Sequence, residues 1–209
     1  MESKIIKMLE LQDAMNSRIN PQWRQAGNQW YRAIWVECAE MLDHYGWKWW
    51  KHQEPDIEQV ILEIVDIWHF MLSDLLQHES DHHLIAKRVS QQFAALSSDN
   101  QDIRLAIEKL AVKILQHQDA QIEAFVELMA SVSLSLDDLY RGYVGKNVLN
   151  LFRQDHGYKE GSYQKVWNGR EDNHYLVEEA AALDSASESF QQDLYAALQR
   201  HYQAHCGQN

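Results

Sequence analysis

The stretch VILEIVDIWHFML, residues 60–72, decides the fold. Its only polar residues are Glu63, Asp66 and His69, each about one helical turn after the last. A helix that is apolar on nearly every side is buried on most of its faces, so this segment is a central helix of an all-helical protein. An unpaired carboxylate in an apolar interior costs on the order of several kcal/mol. Each acid must therefore meet a cation, meet hydrogen-bond donors or keep its proton.

The preceding segment, WYRAIWVECAEM at residues 30–41, poses the same problem. Glu37 falls on the stripe Trp30, Ala33, Ile34 and Met41, a surface with the spacing of a core-facing helix. Glu40 follows three residues later. Carboxylates three apart on a helix point toward one region of space, so Glu37 with Glu40 and Glu63 with Asp66, on helices packed side by side, form a four-carboxylate cage. Hard oxygen ligands of this kind suit Mg²⁺ or Mn²⁺, and four negative charges do not share a small volume without cations. The other role open to these acids is ion pairing with Lys or Arg on neighbouring helices. His69 adds a D-x-x-H, but a di-iron bundle uses E-x-x-H on each of two helices and residues 30–45 carry no histidine three positions after either glutamate. His69 reads better as a hydrogen-bonded core or supporting residue.

Outward from these segments, helices are expected over residues 3–18, 29–44 and 55–77, with Pro55 at a first helical position. Two amphipathic helices between 81 and 116 are separated by the polar turn SSDNQD, residues 97–102. Another starts near Asp119, and Ser135 with Asp138 has capping-box spacing at a restart that runs to Gly157. GYKEGSYQKVWNGREDN, residues 157–173, reads as a long loop, and the chain from 174 to 205 as helical again. With two prolines and no Val/Ile/Thr alternation, 209 residues at 45% hydrophobic content make one compact all-α domain, 1–209.

The net charge of −12 argues against a nucleic-acid polymer as partner, since such binders carry a basic face. Cys38 and Cys206 provide no disulfide framework and fit a reducing, cytoplasmic setting. No signal peptide or membrane-spanning stretch is expected.

Residues 140–170 reverse the global charge, with six basic residues (Arg141, Lys146, Arg153, Lys159, Lys165, Arg170) against Asp155 and Glu160. Lys146, Asn150 and Arg153 share a helical face, and the loop adds Tyr158 and Lys165. Such a face either holds phosphates or neutralises the protein's own acids. Trp47, Trp49 and Trp50 could stack on a base, or fill a core or a subunit interface. Gln12 and Asn16, one turn apart, could read the edge of a base or play a solvated or capping role.

Four stretches, LQDAMN (11–16), WYRAIWVECAEMLDHYGWKWWK (30–51), DIEQVILEIVDIWHF (56–70) and GKNVLNLFRQDHGYKEGSYQKVWNGREDN (145–173), together resemble the dimeric all-helical dUTPases, a branch of the MazG-like nucleotide pyrophosphohydrolases. The resemblance implies a helical bundle, a homodimer and Mg²⁺-dependent hydrolysis of dUTP to dUMP and pyrophosphate, with Mn²⁺ as a substitute ion. It implies metal ligation by Glu37, Glu40, Glu63 and Asp66, with Glu37 also the base that takes a proton from the attacking water. Lys146, Arg153, Tyr158 and Lys165 would hold the phosphate chain, and Gln12, Asn16, Asn150 and Asn173 the uracil and deoxyribose. Two rivals stand beside this: a relative acting on another nucleotide such as dCTP, and a non-catalytic helical dimer whose acids form internal ion pairs. Residues 81–130 carry none of these motifs.

Overall fold

In a computed structural model of the chain, residues 1–95, 102–184, 187 and 189–206 are described. The described residues form nine α-helices and one two-stranded hairpin, the all-α class expected. They divide into two compact units, 1–143 and 144–209.

The first unit contains α1 (Glu2–Ile19), a 3₁₀ turn (Trp23–Gln25), α2 (Trp30–Tyr45), α3 (Ile57–His78), α4 (His82–Ala95), α5 (Ile103–His117), α6 (Ile122–Ser131) and the start of α7 (Leu136–Asp155). Helix α3 is the centre, lying against α1, α2 and α4, while α2 also contacts α5, and α6 contacts α4 and α5. Ile5, Met8 and Leu9 from α1, Ile34 and Met41 from α2, and Ile64, Ile67, Trp68 and Met71 from α3 are fully buried. The Trp68 ring stacks on Phe125 at 5.0 Å, and its indole N–H reaches Met8 Sδ at 3.3 Å. That satisfies a buried donor that would otherwise be orphaned.

Local chemistry sets the helix ends. The Asp56 side chain accepts from Gln59 N at 3.2 Å and caps α3, so Pro55 sits before the cap and not at a first helical position. Helix α2 stops at Gly46, whose φ of +92° suits glycine and whose N–H bonds Leu42 O. At α7, Ser135 N donates to Asp138 Oδ2 at 3.2 Å and Asp138 N donates to Ser135 Oγ at 3.1 Å, the reciprocal capping pair expected. Asp102, the last residue of SSDNQD, caps α5 through Arg104 N at 2.8 Å; residues 97–101 lie outside the described residues.

The second unit holds the rest of α7, the strands β1 (Val166–Trp167) and β2 (Arg170–Glu171), α8 (Asp172–Ala182) and α9 (Phe190–Cys206). The expected long loop contains this antiparallel hairpin. Asn168 and Gly169, both at positive φ, make the Asn-Gly turn that matches strand twist. The remainder, expected to be helical, forms two helices, α8 packed on α9. Phe152, Tyr163, Trp167 and Tyr202 contact one another edge-on or stacked in this unit's aromatic core. The Cys206 side chain lies outside the described residues. No described helix is long and apolar enough to cross a membrane.

Candidate active site

Ile34, Cys38 and Met41 are the buried residues of α2, and the α2–α3 contact brings Glu37 beside the acids of α3. One carboxylate oxygen from each of Glu37, Glu63 and Asp66 lies within 4.8 Å of the other two. Glu63 is buried, and Glu37 and Asp66 are half-buried. Two carboxyl groups this close can make a hydrogen bond only by sharing a proton. Burial first, then such a bond to Glu63 and the charges of Asp66, Glu63 and Glu40, push the Glu37 carboxyl up to about 9. Every charge acting on it is of like sign. The group of three includes neither Glu40, which is exposed and acts on Glu37 only as a further negative charge, nor a histidine. His44, at the end of α2, places Nε2 3.4 Å from Glu63 Oε1. The Cys38 thiol beside Glu37 is pushed up to about 12 by burial and by the Glu37 charge, which makes it a packing residue and a poor nucleophile.

Gln12 and Asn16 are buried, not solvated. Gln12 Nε2 donates to Asn16 Oδ1 and to Ser73 Oγ, each at 3.0 Å. Its Oε1 meets His69 Nδ1 at 2.8 Å and the Tyr143 hydroxyl at 2.9 Å. Both donors and both lone pairs of this amide are thus engaged. Asn16 Nδ2 donates to Ser73 Oγ at 3.0 Å, and Asn16 keeps a second N–H and a second carbonyl lone pair. The Ser73 hydroxyl donates to His69 O at 2.9 Å, and the His69 ring stacks on Tyr143 at 4.1 Å. His69, set on the same stripe as the acids, serves this amide network.

In the second unit, Lys146 is buried and its Nζ donates to Asn173 Oδ1 at 3.1 Å. Arg153 forks onto Asp172, with Nε and Nη2 each 2.8 Å from a carboxylate oxygen, and its Nη1 reaches Asn150 Oδ1 at 3.3 Å. Tyr158 is exposed, with the Arg153 guanidinium 6.0 Å from its ring centre. Lys165 is exposed and pairs with Glu171 at 3.2 Å. Sequence reasoning passed over Asp172 and Tyr163, whose hydroxyl donates to Asp172 Oδ2 at 2.8 Å. Burial, with the Asp172 charge next, holds that phenol above its ordinary value.

A family model described as dUTPase matches residues 4–158. The chain belongs to the dUTPase family. It is accordingly a hydrolase acting on dUTP, a dUTP diphosphatase of the all-helical type. The match takes in Glu37, Glu40, Glu63, Asp66, Gln12, Asn16, Lys146, Asn150, Arg153 and Tyr158; Lys165 and Asn173 lie beyond it. No curated protein matches the chain.

The tryptophans after α2 do not fill the core of this enzyme. Trp47, Trp49 and Trp50 are 43%, 90% and 57% exposed and pack edge to face at 5.3 and 5.2 Å. Asp43 holds Trp47 through its indole N–H at 3.0 Å.

Proposed function

We propose that this dUTPase converts dUTP to dUMP and pyrophosphate with a divalent cation, Mg²⁺ or as a substitute Mn²⁺, held by Glu37, Glu63 and Asp66, with Glu40 supplying a fourth carboxylate. The observation that carries the proposal is the Glu37–Glu63–Asp66 cluster. Its donors are the hard oxygens such ions take, and burial together with its like charges raises the Glu37 carboxyl to about 9, a shift that a bound cation would reverse. The cation, when bound, would neutralise charge on the phosphates and polarise the reacting phosphoryl group.

The remaining roles belong to the chain itself. Glu37, which the cation would free of its own proton, accepts the proton of the water attacking the α-phosphorus. Lys146, Arg153, Tyr158 and Lys165 hold the phosphate chain, Arg by forked contacts and Lys as a point charge. Asn16 offers its remaining N–H and lone pair to the donor–acceptor edge of uracil, oriented by Gln12 and Ser73. Presented to cytosine, the same amide faces a mismatched group, a penalty of roughly 1–3 kcal/mol per unsatisfied contact. Asn150 and Asn173 contact the sugar.

We place the enzyme in a reducing cytosol as a homodimer acting on dUTP and dUDP-type nucleotides, with the whole chain, 1–209, as its functional domain. The test is pyrophosphate release from dUTP, dCTP and UTP with Mg²⁺, with Mn²⁺ and with a chelator. Cation-dependent release from dUTP alone is expected; release that survives chelation would remove the metal from the proposal.

A further inference from the structure

We infer that Asp172 is a positioning residue that sets the phosphate-binding arginine for substrate; this rests on the reading of Arg153 given above. Asp172 is the first residue of α8 and its side chain is fully buried. A buried carboxylate persists only if paired and hydrogen-bonded. Here the partners are Arg153, through the forked Nε and Nη2 contacts, and the Tyr163 hydroxyl.

What hangs on this carboxylate distinguishes it from an ordinary core ion pair. The fork holds the guanidinium with its Nη1 at Asn150 Oδ1, 3.3 Å away, so the carboxylate also sets the side chain proposed above to contact the sugar. The Asp172 backbone N–H donates to Lys165 O at 2.9 Å and so fixes the hairpin that carries Lys165. The next residue, Asn173, accepts from Lys146 Nζ. One buried acid therefore gathers the candidate phosphate contacts of α7, the hairpin and α8 into one geometry. Because its own charge offsets that of Arg153, the arginine acts on the phosphate by directed N–H donors more than by net charge.

An isosteric amide cannot reproduce this, since Asp172→Asn turns one acceptor into a donor aimed at the guanidinium. In D172N, at temperatures where circular dichroism shows it folded, KM for dUTP should rise about tenfold with kcat changed by less than about threefold, the pattern of lost binding common to ground and transition states. Pyrophosphate should weaken as a product inhibitor in parallel. The effect must vanish in an Arg153→Gln background, because Asp172 acts through that side chain. Tyr163→Phe, which removes one hydroxyl from the carboxylate and is the milder variant should D172N not fold, should raise KM about threefold with the same dependence on Arg153. An unchanged KM in folded D172N or in Y163F, or effects that multiply with R153Q, would overturn the positioning role. If R153Q alone leaves KM unchanged, the phosphate reading of Arg153 falls, and this inference with it.

Discussion

Glu37 on α2 and Glu63 on α3 bring carboxylate oxygens within 4.8 Å of each other, with Asp66 closing the group. Burial and the like charges around it favour a proton on the Glu37 carboxyl.

That proton has a pH signature. The Glu37 carboxyl is raised from 4.5 to about 9, so between those values the folded cation-free protein holds a proton that the unfolded chain has released. Stability is then fully present below about 4.5 and falls as pH rises toward about 9. Melting temperatures measured in chelator across this window should decline for the wild type and decline less for Glu37→Gln. Equal slopes in the two proteins would show that Glu37 is not the group concerned.

Turnover should depend on Glu63 out of proportion to its effect on folding. Glu63→Gln removes one negative charge from a crowded group and relieves repulsion, so the helices should form as before. In the presence of Mg²⁺, kcat on dUTP should drop by about 10²-fold or more, the scale of losing a preorganised electrostatic contact. A rate near wild type, read by pyrophosphate release, would contradict the ligand role.

The two acid pairs were legible because helical spacing alone places residues three apart on one side, and the apolar background made their burial expensive. Spacing could not tell that Glu40, one turn beyond Glu37, is exposed, because that depends on where α2 meets α3. The all-helical class was legible from the scarcity of proline and from residues 60–72. The hairpin at 166–171 carried its Asn-Gly signal, but strands of two residues are too short to show alternation. Asp172 was hidden for a different reason: its partners lie 19 and 9 residues away, and nothing local marks it as buried. The same holds for Gln12 and Asn16, buried by contacts with Ser73 on another helix.

Ser73→Ala tests the amide network. The hydroxyl is fully buried and accepts from both Gln12 and Asn16, so its loss leaves two buried donors unsatisfied, at about 1–3 kcal/mol of stability. The loosened Asn16 amide should also narrow the preference for dUTP over dCTP. Denaturant titration and paired kinetics measure the two effects; an unchanged preference would remove Asn16 from base reading.

Gly142→Ala probes the packing behind the acids. A Cβ at Gly142 would come 2.9 Å from Val65 Cγ2, next in the chain to Asp66. Overpacking of this kind costs about 1–3 kcal/mol, and the lower midpoint should appear in urea unfolding. An undiminished midpoint would mean that α7 and α3 separate freely at this point.

The most direct test of the acid cluster is thermal unfolding at pH 7 without nucleotide, with and without millimolar Mg²⁺, for the wild type and Glu63→Gln. A ligand that binds only the folded form raises stability by mass action, so the wild type should gain several degrees and E63Q little or nothing. No gain in the wild type, or the same gain in both, would contradict the claim that Glu37, Glu63 and Asp66 come together to hold a divalent ion.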